Sequence, residues 1–360
     1  MALFAKRQRE VFIEEERLHL QARVCNVGFQ MTDLDGLIGM RLAVGLPGHE
    51  LTATALERLR HTHAQSVVLF SRNFVSPDQM TQLLRELDHQ LHRSLLILVD
   101  HEGGRVIRFT SGVTRFPDAR TAGSQGPEAI ERQGREEAKE LRRLGVHVNL
   151  APCVDVVVNG SDPIIGDRSY GSDAHQVSQL GVARIRGLQS SGVAACAKHF
   201  PGLGAVPRDP HKVLPTVSLD WPTIERIHLP PFRAAIQVGV ALVMSSHVCY
   251  PLLGDAPGLP ATFSPQLIRG VLRERMSFDG VIATDDLEMG ALGTSGDMGE
   301  RAVRATEAGH DLLLICSDLD AAEQAAVSLR QAYQSGRLDR EELKVSAARI
   351  DQVRRRYMAV

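Results

Sequence analysis

No stretch of this 360-residue sequence holds enough consecutive apolar residues to cross a bilayer, and the N-terminus lacks the apolar segment of a secretory signal. Cysteine is scarce and shows no pairing pattern. Cys25, Cys153, Cys196, Cys249 and Cys316 are odd in number, scattered, and form no C-x-x-C. That argues against a disulfide scaffold and a thiolate zinc site, and fits reduced thiols in a cytoplasmic protein. Excess positive charge is missing too. Lys and Arg number 41 against 43 acidic residues, so no basic field draws in nucleic acid. An H-E-x-x-H motif is absent, which argues against a metal hydrolase, and no motif calls for a cofactor. What remains is a chain 43% hydrophobic, enough for one barrel-sized core.

Residues 1–33 are charged and read as an N-terminal extension; residues 34–360 read as one domain. A regular alternation begins at residue 37. Leu37–Val44, Ser66–Phe70, Leu95–Val99, Val146–Leu150, Val193–Ala197, Ala241–Ser245, Gly280–Thr284 and Asp311–Ile315 are short, apolar runs without alternation, as expected of strands buried on both faces. Helical patterns fill most of the gaps. Ser76-Pro77 with Gln79 and Ser264-Pro265 are start signals, and Glu128–Leu144 is amphipathic. Asp339 opens a last helix in which Leu343, Ala347, Ile350, Val353 and Tyr357 recur at helical spacing. Eight such alternations predict a (β/α)8 TIM-like barrel, with a doubly wound open sheet as the competitor.

The polar residues favour the barrel. Asp100 follows the third strand, Asp155 the fourth, Lys198-His199 the fifth, His247 the sixth and Asp285-Asp286 the seventh. In a barrel those ends converge on one rim, where active sites form. Asp285 reads as a nucleophile, base or ligand at the barrel mouth, with Asp286 in support. Asp100 can accept from vicinal hydroxyls, and Arg108 can offer a forked donor. Glu102 and Arg105 read as a structural ion pair beneath the rim.

Between Ala197 and His211 the chain crowds two Gly, three Pro, two His, a Lys and an Asp, a density of breakers and titratable groups suited to a shaped active-site loop. Asp209 and His211 stand at i and i+2 on a segment that Pro210 biases towards extended geometry, so both face the same way.

The stretches VDHEGGRVIRF, GDRSYG, KHFPGLG with DPH, and GVIATDDLEMGAL resemble, in order, the motif set of family 3 glycoside hydrolases. They are most similar to the single-domain β-N-acetylglucosaminidases of peptidoglycan recycling. The resemblance spans residues 37 to about 357 and implies an exo-acting, retaining glycosidase that removes terminal GlcNAc from muropeptides, a cytoplasmic monomer without cofactor or metal. It implies Asp285 as nucleophile and His211, polarised by Asp209, as acid/base. It also implies that Asp100, Arg108, Arg168, Lys198 and His199 bind the sugar. Retention requires a carboxylate that attacks the anomeric carbon and a second group that protonates the leaving oxygen and then deprotonates water. Relatives that use a second carboxylate take it from a further domain, for which this sequence leaves no room. A His then serves, its ordinary pKa near 6.5 lying close to working pH. Two departures stand out: Leu203 where relatives commonly have His, and Pro210 where they commonly have Ser.

Three rival readings use the same residues. A β-N-acetylglucosaminide phosphorylase would use phosphate in place of water. An aldolase-like barrel would use Lys198 as a Schiff base, leaving Asp285 idle. A weakly active sugar-binding paralogue would account for Leu203 and Pro210.

Overall fold

The computed structural model describes residues 33–158, 164–206, 209–210, 212–254, 256 and 258–359. Of the N-terminal extension read over residues 1–33, only Asp33 falls among them, and His211 lies outside them.

Eight parallel strands close into a barrel in sequence order: β1 Leu42–Gly45, β2 Ser66–Leu69, β3 Leu96–Val99, β4 Val148–Asn149, β5 Ala194–Phe200, β6 Leu242–Ser245, β7 Val281–Asp286 and β8 Leu312–Ile315. The open-sheet alternative falls, because β1 pairs with β8 as well as β2. β1 to β6 and β8 are buried throughout, as their unbroken apolar runs demand.

Helices cover the barrel and begin where side chains can cap them. Thr52, Ser76, Asp118, Asp173, Asp297 and Asp339 each accept a backbone N–H of the first turn. The last helix, Arg340–Met358, buries the five residues whose spacing foretold it. Helices Pro127–Arg143 and Ala174–Ser190 pack so closely that a Cβ on Gly187 would fall 2.4 Å from the Glu131 carbonyl oxygen. At the start of β8, the buried Asp311 ties three elements together. Its Oδ2 accepts from the Ile282 N–H at 2.9 Å and from Arg273 at 2.6 Å, and its Oδ1 from Ser346 Oγ at 2.7 Å.

Several boundaries differ from expectation; β4 shortens from the expected Val146–Leu150 to Val148–Asn149, and three other differences reach further. The apolar run at Leu37–Val44 is split: Leu34–Met40 is a buried helix packed against Leu319–Ser335 and Arg340–Met358, and the strand begins at Leu42. A run apolar on all sides suits a buried helix as well as a buried strand. β5 and β7 run longer than expected, so Lys198, His199, Asp285 and Asp286 lie in strands. Both strands also carry register shifts, at Lys198/Phe200 and at Ala283/Asp286. Such irregularities re-aim side chains at a barrel rim.

Candidate active site at the barrel mouth

The site rests on the C-terminal ends of β3, β4, β5 and β7. At its centre Lys198 reaches from β5 to two carboxylates, 2.5 Å from Asp100 Oδ1 and 2.7 Å from Glu102 Oε1. Arg168 approaches Glu102 with a fork, Nε to Oε2 and Nη2 to Oε1, both at 2.8 Å. Arg108 lies 3.5 Å from Asp100 Oδ2, so Asp100 stands between two cations. Glu102 and Lys198 are almost fully buried, whereas Asp100 and Arg108 stay partly open to solvent.

A second layer fixes His199. Its Nδ1 lies 2.7 Å from Asp155 Oδ2, and Asp155 also accepts the backbone N–H groups of His199, at 3.2 Å, and Leu203, at 2.6 Å. The His199 Nε2 is thereby turned towards Arg168, 3.4 Å away. Cys153 Sγ sits 3.3 Å from the same carboxylate. Among the described residues, Cys153, Asp155 and His199 form a group whose ligand atoms lie within 4.8 Å of one another. Their donors are already committed. Burial, reinforced by Asp155, holds the thiol in its protonated form, and the carboxylate's lone pairs accept four hydrogen bonds. The arrangement is a hydrogen-bonded brace, which suits a metal poorly.

Burial would push the Asp285 carboxyl up, but His199, His247, the Asp286 N–H and Lys198 together hold it below the ordinary value. It is a half-buried anion at the barrel mouth, the state a nucleophile requires. Asp286 is the opposite: burial pushes it up to about 7, while its Oδ1 accepts from Glu288 and Cys316 N–H groups. Two adjacent carboxyls thus differ in how readily they ionise because of their surroundings. Burial pushes the Lys198 ammonium down, but Asp100 and Glu102 override it and raise its pKa. The Schiff-base reading needs a neutral amine, and this lysine is held charged.

The loop after β5 is tied at several points. Tyr250 Oη donates to Gly202 O at 2.9 Å, the Cys249 N–H donates to Pro215 O, and the Val217 N–H donates to Cys249 O. Near its tip, Pro210 O accepts the N–H of Ala291, six residues beyond Asp285, at 3.1 Å. Gly202 has φ +134°, and a Cβ there would fall 2.7 Å from His228 Cβ. Leu203 is buried in the core beneath this loop. Asp209 follows within the same loop, its carbonyl accepting from the Lys212 and Val213 N–H groups.

Of the residues singled out in the sequence, Asp100, Arg108, Arg168, Lys198 and His199 share hydrogen-bond or ion-pair contacts, and Asp285 lies within their electrostatic reach. The expected Glu102–Arg105 ion pair is not formed. Arg105 turns outwards to Asp167 at 2.8 Å, while Glu102 points inwards to Arg168 and Lys198. Glu102 stands at i+2 from Asp100, a spacing that puts both on one face and was the available signal. Asp155 was visible as a strand-end acid, but its pairing with His199 depends on β4 lying beside β5.

The mouth of this closed parallel barrel gathers a half-buried anionic carboxylate and a set of charged groups, an arrangement compatible with a barrel-type glycoside hydrolase. The model of the glycosyl hydrolase family 3 N-terminal domain matches residues 30–353. A β-hexosaminidase of Methylococcus capsulatus is 42% identical over 280 residues, covering 77% of this chain and 82% of the relative. One from Methylobacillus flagellatus is 37% identical over 300 residues, covering 81% and 85%. Among solved structures, a family 3 β-N-acetylglucosaminidase from Paenibacillus sp. str. FPU-7 superposes with TM-score 0.88 at 37% identity, covering 91% of this chain and 63% of that longer one. NagZ from Neisseria gonorrhoeae in complex with N-trifluoroacetyl-D-glucosamine gives TM-score 0.72 at 31% identity, covering 87% and 97%. The chain belongs to glycosyl hydrolase family 3, as a glycoside hydrolase of the β-hexosaminidase type.

Proposed function

We propose that this protein is a retaining, exo-acting β-N-acetylglucosaminidase that removes terminal GlcNAc from peptidoglycan fragments. The observation that carries the reading is Asp285: a carboxylate kept anionic at a barrel mouth that also holds charged donors and acceptors suited to hydroxyl groups. In the proposed first step, Asp285 attacks the anomeric carbon as the glycosidic bond breaks. His211 gives its proton to the departing oxygen. In the second step His211 takes a proton from water, which displaces Asp285 and restores the β-configuration. Asp209 holds the imidazole in one tautomer and stabilises its cationic form. Asp100, Arg108, Arg168, Lys198 and His199 grip the sugar hydroxyls.

The hydrogen bond between Pro210 O and the Ala291 N–H supports a dyad that works across one glycosidic oxygen from Asp285, since it joins the loop bearing Asp209 to the segment that follows β7. GlcNAc as the sugar is supported by the β-N-acetylglucosaminidase and NagZ structures to which this chain is similar. The test is covalent trapping. Incubation with a slow-turnover 2-fluoro glycoside, proteolysis and mass spectrometry are expected to reveal one sugar on the peptide containing Asp285. An adduct on another carboxylate, or turnover with no trapped enzyme, would overturn the assignment.

A further inference from the structure

We propose that Glu102 is a positioning residue for sugar binding: a buried anion that holds the Arg168 guanidinium and the Lys198 ammonium in one fixed pose beneath the sugar site. The inference rests on the sugar-binding reading given above and extends it to a residue outside the predicted set.

Glu102 is placed to do this because it cannot move. The N–H of Glu102 donates to Val106 O at 2.8 Å and its carbonyl accepts from Arg184 at 3.3 Å. The preceding residue is clamped as well: Asn149 Oδ1 accepts the His101 N–H at 3.0 Å, and Asn149 Nδ2 donates to His101 O at 2.8 Å. Asn149 in turn donates to Glu137 at 2.9 Å, and Glu137 pairs with Arg184, so the clamp reaches both covering helices. From this fixed base the Glu102 side chain, 7% exposed, accepts three charge-assisted hydrogen bonds of 2.7 to 2.8 Å. Two of the three come from one guanidinium, which fixes the plane of Arg168 as well as its position.

The charge balance gives the same result. Lys198 and Arg168 bring two positive charges into the barrel mouth, and Asp100 alone is solvent-facing and shared with Arg108. Without Glu102 the two cations would repel each other in a poorly screened setting, and Arg168 would swing towards solvent. Glu102 takes up Arg168 Nε and, together with His199, Nη2, so that among the described residues Nη1 is the edge left to face a sugar hydroxyl.

The test uses full-length protein and GlcNAc itself as the probe, titrated calorimetrically into wild type, Glu102→Gln, Arg168→Ala and the double variant. Glu102→Gln is expected to weaken binding roughly tenfold or more, as the loss of one charge-assisted contact does. The double variant is expected to lose clearly less than the product of the single losses, because the two residues act as a unit. Affinity within twofold of wild type, or losses that multiply, would overturn the proposal. Should Glu102→Gln not fold, Glu102→Asp keeps the charge and retracts it by one methylene, and an undiminished affinity in that variant would count equally against it. A second readout needs no sugar: the 15N signal of the Lys198 ammonium is expected to titrate at lower pH in the variant, and an unchanged titration would overturn the proposal. Wild type that fails to bind GlcNAc while the Lys198 titration shifts would sink the substrate reading and leave Glu102's hold on the cations standing.

Discussion

At the scale of single residues, neighbouring groups of the same type differ in how readily they ionise. Asp285 is kept ionised by His199, His247 and Lys198, while Asp286, one position on, is pushed up to about 7 by burial. The proposed division of labour between Asp285 and His211 predicts a kinetic signature. Asp285→Ala is expected to lower turnover of every β-GlcNAc substrate by about 10⁴-fold or more, in line with removing a nucleophile. His211→Ala is expected to spare substrates with acidic leaving groups, such as dinitrophenol, and to slow alkyl leaving groups by about 10²- to 10⁴-fold, since only the latter need protonation. A plot of log kcat/KM against leaving-group pKa checks this, and equal losses across the series would remove His211 as the acid. Asp100, Lys198, His199 and Asp285 were readable because they follow apolar runs, whereas Arg108, Arg168, Asp209 and His211 follow no such run directly and were picked out by motif. Glu102 was misassigned to Arg105 because sequence proximity says nothing about which way a turn points its side chains. Its true partners stand 66 and 96 positions away.

At the scale of elements, the loop after β5 is tethered at its root, near its tip and at its far end, in contact with the segments that follow β4, β6 and β7. The tip tether is a single backbone hydrogen bond, Ala291 N–H to Pro210 O. Ala291→Pro removes that donor and leaves the barrel untouched. Stopped assays with a neutral aryl β-GlcNAc are expected to show kcat reduced by roughly tenfold, with a melting temperature within a few degrees of wild type. Unchanged kcat would mean that the tether does not set the loop's working position. Pro210 fixes one φ angle of the loop at the tethered residue. Leu203 has a packing explanation: it lies in the core beneath the loop while its N–H completes the brace on Asp155. The irregular helical stretch behind it, Ile224–His228, buries His228 against Gly202, and among the described residues neither ring nitrogen has a hydrogen-bond partner.

For the molecule as a whole, the buried imidazoles govern the response to acid. Burial lowers His101, His147 and His228 to about 4 and His310 to about 3. His101 and His147 each also accept a backbone N–H at Nδ1, which requires the neutral ring. In the unfolded chain these four protonate near 6.5, so between pH 6.5 and about 4 the unfolded state binds more protons and stability falls as pH falls. Glu137 and Asp286, pushed up to about 7 by burial, oppose this, because the folded state then holds their protons. Four groups against two leave a net loss in acid. Melting temperature is expected to drop steadily from pH 6.5 to 4.5, and His228→Phe is expected to make the slope shallower; a flat profile would contradict the assignment of neutral buried rings. No helix among the described residues is long and apolar enough to cross a membrane, and the amphipathic ones are spent covering the barrel.

The sequence by itself determined a parallel sheet covered by helices and several of the rim residues, whereas closure into a barrel was decided by the pairing of β1 with β8. Short apolar runs alternating with amphipathic helices bury both faces most readily in a parallel sheet covered by helices, and the polar residues that follow the third to seventh runs then stand at one mouth. It also carried the family's motifs in order. The tertiary structure alone decided who pairs with whom: Asp155 with His199, Glu102 with Lys198 and Arg168, Pro210 with Ala291. Those contacts join segments far apart in the chain, and their geometry depends on strand register, on shifts of one residue in β5 and β7, and on the direction in which each loop leaves the barrel. Charge states followed from the same source, since burial and a neighbour's charge are properties of a place in the fold.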